Sequence, residues 1–350
     1  MDIREGAEIL NSSRSNSRTA FTTVDFDQKG KQVGCLMIPH SPHDDAWGVT
    51  QVPIAVIANG KGPTLIIEGG NHGDEYEGQI AICDLIRTVD PGQVQGRLIL
   101  MPTINVHAVI SGTRTSPVDG LNLNRTFPGD AHGSITQQIS EFTTNVIFPL
   151  GNAFLDLHSG GSSLDILPSA IIEPSSDPDL HLRNIRAARA FDAPLIVVIG
   201  NYGDQRTATA AACAAGLTTV GTEMGGGGTV RPEVLSMCRR GIDNVLAHLS
   251  IIESYTKTVK STVETPLYEL PGKKAFVYAT SDGIFEPYHA NGTNVRAGQE
   301  AGRIHCTWDP GLEPQILHYL ADGIVYGRRQ PGRVRPGSCC IAVAAPTTVS

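Results

Sequence analysis

The chain has 350 residues, of which 40% are hydrophobic and 18% charged, enough apolar side chain to bury a core and too much for a disordered polymer. A formal net charge of −8 supplies no positive footprint for nucleic acid or an anionic membrane, which leaves a small molecule as the expected partner. The start, Met-Asp-Ile-Arg-Glu-Gly, lacks the basic segment and apolar run of a signal peptide, and no apolar stretch approaches the roughly 20 residues of a membrane span, so a cytoplasmic location is expected.

Residues 1–20, rich in Ser, Asn and Arg, read as a mobile arm. Short apolar runs then alternate with helical periodicity: strand over 63–68, helix over 76–89, strand over 97–105, helix over 134–150 and strand over 153–157. The alternation continues with strand over 194–200, helix over 207–215, strand over 218–222 and a long amphipathic helix over 232–252. This is the pattern of an α/β sheet with helices on both faces, and the unbroken apolar run Thr64-Leu65-Ile66-Ile67 suits a strand covered on both sides. We therefore expect a catalytic domain over 21–258.

After a linker around 255–266 the texture changes to short strands and many glycines, which predicts a smaller β-rich domain over 259–350. Within it Val295-Arg296-Ala297-Gly298 recurs 39 residues later as Val334-Arg335-Pro336-Gly337, a two-fold β unit like the halves of biotinyl or lipoyl carriers. A carrier needs a lysine for its cofactor, and none follows Lys274, so a structural or site-capping role remains. Seven cysteines without any C-x-x-C spacing point to reduced thiols, with Cys339 and Cys340 expected on opposite faces of a strand.

The chemistry concentrates where strands end. The strand over 63–68 opens into Gly69-Gly70-Asn71-His72-Gly73-Asp74-Glu75, placing H-x-x-E at the edge where α/β sheets bind ligands. A lone H-x-x-E recurs by chance on solvated loops, but Asp156-Leu157-His158-Ser159-Gly160-Gly161 sets a second histidine at another strand end. His72, Glu75 and His158 together form an established catalytic zinc set, two histidines and one glutamate with an open position. Asp156, two residues from His158 on the same strand face, is placed to orient it or to pack elsewhere.

A third strand runs into Glu223-Met224 and four glycines, and a glutamate beside a metal can take a proton from water and return it to a leaving nitrogen. Those glycines lack G-x-G-x-x-G order or a following Lys-Ser/Thr, so they do not read as a phosphate loop. Between the two ligand segments, Arg114 and Asn124-Arg125 lie in Gly/Pro-rich loops that suit anion reception.

In that order, G-G-N-H-G-D-E, L-N-L-N-R-T-F-P-G, D-L-H-S-G-G and T-E-M-G resemble the succinylglutamate desuccinylase and aspartoacylase family, a branch of the zinc carboxypeptidase superfamily, over about residues 50–345. Within the family, the stretch 41–60, G-T-R-T-S-P and E-M-G-G-G-G resemble the branch that deacetylates N-acetyl-2,4-diaminobutyrate in ectoine breakdown. The resemblance implies an α/β fold, a carboxypeptidase-like mixed sheet flanked by helices, with a smaller all-β C-terminal domain. It further implies one Zn2+ per chain on His72, Glu75 and His158, with Glu223 as general base. Arg114 is implied on the scissile carbonyl, with Asn124 and Arg125 on the substrate carboxylate. A substrate ammonium would need an acid, for which Asp165 and Glu286 are the candidates; His107 reads as structural, and a homo-oligomer is compatible with the sequence.

Overall fold

The computed structural model describes residues 18–200, 204–252 and 265–348; the expected arm lies, up to residue 17, outside the described residues, as does most of the expected linker. The first strands are β1 (Phe21–Thr22), β2 (Gly30–Pro39), β3 (Val49–Asn59), β4 (Thr64–Gly69), β5 (Gly96–Met101) and β6 (Ala153–Leu157). They are followed by β7 (Leu164–Ile172), β8 (Leu195–Val198) and β9 (Thr218–Gly226). Helices α1 (Glu77–Thr88), α2 (Val106–Ser111), α3 (Ile135–Phe142), α4 (Pro178–Phe191), α5 (Ala208–Ala214) and α6 (Pro232–His248) connect them.

At the centre β5, β4, β6 and β9 run parallel, flanked by antiparallel β3 on one side and β7 on the other. Alternation along each strand sorts side chains onto two cores. Leu65, Ile67, Leu98, Leu155 and Val220 face one layer with α1, α4 and α6, while Ile66, Ile99 and Phe154 face the other with α3 and α5. Such burial contributes on the order of 2 kcal/mol per large side chain, so a one-residue slip would be prohibitive. The helices are punctuated locally: Asp177 accepts from Asp179 N and Leu180 N at the start of α4, Thr207 caps α5 through Ala210 N, and Pro232 opens α6.

The remaining strands are β10 (Leu267–Glu269), β11 (Phe276–Tyr278), β12 (Gly283–Pro287), β13 (Asn294–Val295) and β14 (Glu300–His305). They continue as β15 (Gln315–His318), β16 (Gly323–Arg329), β17 (Arg333–Val334) and β18 (Cys339–Pro346). Four of them form a sheet in the order β15-β14-β12-β17. Others extend the main sheet: β10 pairs with β8, β18 with β10, and β16 with both β18 and β7, closing a ring of strands around Ile166, Val197, Tyr326 and Ala344. The two copies of the repeat occupy matching positions, β13 and β17, each running into a glycine at positive φ (Gly298 at 82°, Gly337 at 85°) that only a residue without Cβ adopts cheaply.

Three expected elements shift. The strand expected over 97–105 stops at Met101, where Pro102 begins a turn into α2. The helix expected over 134–150 is α-helical only to Phe142, then widens over Thr143–Ile147 and tightens over Phe148–Leu150, where Pro149 lacks an N–H. The strand expected to stop at residue 222 runs on to Gly226, which pairs with Asp165. Among the described residues no helix is long and apolar enough to cross a membrane, and all seven cysteines are unpaired.

Candidate metal centre

Along the second face of the sheet the apolar stripe ends in acids. Glu68 follows Ile66 and Asp156 follows Phe154, and the two acids stand side by side in register on β4 and β6, both fully buried. Beyond them the chain turns out of the sheet. Gly70 takes φ 69°, and a Cβ on Gly73 would stand 2.0 Å from Ala108 O, so the loop carrying His72 and Glu75 is pressed onto α2, and Gly73 N–H donates to Thr113 O just past the end of that helix. His158 is clamped from β9: its N–H donates to Thr222 Oγ1 at 2.9 Å, and Thr222 Oγ1–H and Met224 N–H donate to its carbonyl.

These constraints bring the two histidines and Glu75 together across 83 residues of sequence. His72 Nδ1 lies 2.7 Å from Glu75 Oε1 and His158 Nδ1 2.8 Å from Glu75 Oε2, with one donor atom from each residue inside 4.8 Å of the others. The far nitrogens are held as well, His72 Nε2 by Asn122 Oδ1 at 3.2 Å and His158 Nε2 by Asp156 Oδ2 at 3.0 Å. An acceptor behind each ring fixes the tautomer that leaves Nδ1 free to ligate, so the donor set fits a single divalent cation of the borderline class. All three residues are buried.

The electrostatics agree with that use. Burial opposes ionisation of Glu75, yet the two imidazoles hold its pKa far below the carboxylate range; burial pulls His72 down. For His158 the burial penalty is overcome by Asp156 and Glu75, which raise it. The Glu68 carboxyl is pushed well above the carboxylate range by burial and then by the neighbouring Asp156. Glu68 Oε2 and Asp156 Oδ1 are both buried without a hydrogen-bond partner.

Glu223 stands on β9 opposite Ser169, whose hydroxyl meets Tyr326 of β16 at 2.7 Å. Burial, and then the Glu75 charge, lift its carboxyl to about 8, and its Oε2 is buried without a partner. Arg114, half exposed, reaches into the ligand cluster at 3.3 Å from His72 Nδ1 and 3.4 Å from Glu75 Oε1. Asn124 touches His158 Nε2 at 3.4 Å through Nδ2 and accepts Ala208 N–H at 2.8 Å. Beside it Arg125 lies 3.5 Å from Asp204. The structure thus brings together the ligand set, Glu223, Arg114, Asn124 and Arg125.

Asp165 and Glu286 are placed otherwise. Arg231 takes Asp165 at 2.8 Å, and Arg303 and His305 take Glu286 at 2.7 and 2.6 Å on the four-stranded sheet. His107 bonds Thr50 Oγ1 at 2.9 Å. Sequence reading missed Glu68, Thr222, Asn122, Asp204 and Glu173. Of these only Asn122, inside L-N-L-N-R, carried a local signal; Glu68 and Thr222 act across neighbouring strands, Asp204 on Arg125, and Glu173 on Thr207 and Thr209.

Residues 61–249 match the succinylglutamate desuccinylase/aspartoacylase catalytic domain. The chain belongs to that acylase family. It is 38% identical, over 92% of its length and 94% of the relative's, to an N-alpha-acetyl-L-2,4-diaminobutyric acid deacetylase from Halomonas elongata. Among solved structures of this family, a succinylglutamate desuccinylase/aspartoacylase from Rhodobacter sphaeroides is 41% identical with a TM-score of 0.88, covering 95% of this chain and 100% of that one. The product-bound ectoine utilization protein EutE (DoeB) from Ruegeria pomeroyi is 34% identical with a TM-score of 0.89, covering 94% and 100%. The mixed α/β sheet with its β-rich C-terminal region is the fold these family members share.

Proposed function

We propose that this chain is a zinc-dependent amidohydrolase that converts N-acetyl-L-2,4-diaminobutyrate to 2,4-diaminobutyrate and acetate. The observation that carries the chemistry is the convergence of His72 Nδ1, His158 Nδ1 and Glu75 beside the buried carboxyl of Glu223. Similarity to a diaminobutyrate deacetylase over nearly the whole of both chains supports the substrate.

One zinc ion held by His72, Glu75 and His158 would supply Lewis acidity toward water and the acyl carbonyl. The protein does the rest. Glu223, desolvated and free at Oε2, takes a proton from the attacking water and hands it to the leaving nitrogen, and a pKa near neutrality suits both transfers. Arg114 shares the developing negative charge on the carbonyl oxygen. Arg125, with Asn124 beside it, grips the substrate carboxylate, and the Asp156 carboxylate steadies the His158 ring. The unpaired cysteines support a cytoplasmic location.

The test is acetate release by the purified zinc-loaded protein over N-acetyl-2,4-diaminobutyrate, N-acetylaspartate, N-succinylglutamate and dipeptides. Preference for the first is expected. Preference for N-acetylaspartate or N-succinylglutamate would overturn the substrate while leaving the chemistry, and turnover of dipeptides alone would overturn deacylation.

A further inference from the structure

The substrate of the proposed reaction carries a side-chain ammonium, and burying an unpaired ammonium costs several kcal/mol. Resting on that reading, the question is which acid meets it. Asp165 is taken by Arg231, Glu286 by Arg303 and His305, and Asp204 by both Nε and Nη2 of Arg206 at 2.9 Å.

Glu173 differs from all three. It follows β7 and is only 7% exposed, yet what reaches its carboxylate is neutral: Thr209 Oγ1–H at 2.7 Å and Thr207 Oγ1–H at 3.5 Å. Among the described residues no lysine, arginine or histidine forms an ion pair with it. The segment that supplies those hydroxyls also supplies Ala208 N–H to Asn124 Oδ1, so three consecutive residues hold Glu173 on one side and a residue of the reaction site on the other. Alternation along β7 sets Ser169, Ile171 and Glu173 on one face, and Ser169 lies opposite Glu223. Glu173 also lines a cavity of about 790 Å³ together with Gln205, Ile199 and Ala210. Burial raises the Glu173 carboxyl, opposed by the two threonine hydrogen bonds and by the more distant Arg125 charge.

We propose that Glu173, steadied by Thr207 and Thr209, is the specificity-determining acid that receives the primary ammonium of the substrate side chain. Its oxygens accept the N–H bonds while Arg125 holds the carboxylate.

The experiment compares N-acetyl-2,4-diaminobutyrate with N-acetyl-2-aminobutyrate, which lacks the ammonium, in the zinc-loaded enzyme and in Glu173→Gln, whose amide oxygen can still accept from both threonines. The expected result is a rise in KM of at least about 30-fold for the diamino substrate with less than about threefold change for the neutral one. Equal losses on both substrates, or none on either, overturn the assignment. An arm without any variant uses the unaltered enzyme: 2,4-diaminobutyrate should inhibit at least about tenfold more strongly than 2-aminobutyrate, and equal inhibition overturns the proposal. Failure of the unaltered enzyme to deacetylate either substrate would overturn the proposed function as well, a result separate from loss of discrimination in Glu173→Gln.

Discussion

Glu75 and Glu286 sit in clusters built from the same residue types. Glu75 meets His72 and His158 at 2.7 and 2.8 Å and Arg114 at 3.4 Å; Glu286 meets His305 at 2.6 Å and Arg303 at 2.7 Å. What separates them is burial: the Glu75 side chain is 2% exposed and that of Glu286 44%. In the buried cluster each ring has a second partner behind it, Asn122 or Asp156, so the donor atoms converge on one point. In the exposed cluster, among the described residues, no second partner fixes the His305 ring, water screens the charges, and two close contacts make a surface ion pair. The comparison teaches that a His/Glu/Arg composition does not by itself bring donor atoms to one point; desolvation and a rigid backing do.

The sharpest way to break the comparison is to remove a ligand. His72→Ala or His158→Ala should abolish bound zinc, about one per chain in the unaltered protein, and with it turnover, because two remaining ligands cannot hold a tetrahedral ion. Elemental analysis decides this, and retention of full metal by either variant would remove it from the ligand set. Next in size is Glu223→Gln, which should keep fold and zinc and lose rate by roughly 100-fold or more, since an amide cannot relay the proton. Near-normal turnover of the loaded variant would exclude Glu223 from the proton path. Smaller again is Asp156→Asn, which leaves the ligands but weakens the backing of His158: zinc affinity should fall by roughly 10- to 100-fold in a chelator competition. An unchanged affinity would show that the backing does not matter.

How much of this was legible follows from the range of each interaction. His72, Glu75 and His158 stood out because apolar strands end in glycine-rich loops, a signal contained within about ten residues. The backing did not, because it depends on register: Glu68 meets Asp156, and Thr222 clamps His158, across long separations that no local pattern encodes. Glu223 was legible as an acid before four glycines, but its setting was not. The glycines at 225 and 226, with φ 69° and 129°, prolong β9 instead of ending it, which puts Glu223 inside the sheet opposite Ser169. Strand β7 was missed because Pro168 interrupts its pattern at the irregularity between Ile166 and Ser169. With it went Glu173, which looks like any acid before a proline until Thr207 and Thr209 are folded onto it.

The smallest effect belongs to the exposed cluster, and its pH dependence sharpens the contrast. Arg303 and then His305 hydrogen-bond Glu286 and hold its carboxyl at about 2, below the ordinary value near 4.3. A carboxyl with a depressed folded pKa stabilises the fold above its unfolded pKa and loses that contribution as pH falls through the folded one. Glu286→Gln should therefore lower the melting temperature slightly at pH 7, and the difference should shrink between about pH 4.3 and pH 2. Zinc content and deacetylation should stay unchanged, because solvent screening leaves this pair little to contribute and nothing in the ligand cluster touches it. Melting curves of both proteins across that range, with zinc analysis at pH 7, check both halves. A melting-temperature gap that widens toward pH 2 would show the linkage has the opposite sign. Loss of zinc in Glu286→Gln would show that the exposed cluster is coupled to the buried one, and the distinction drawn from burial would fall.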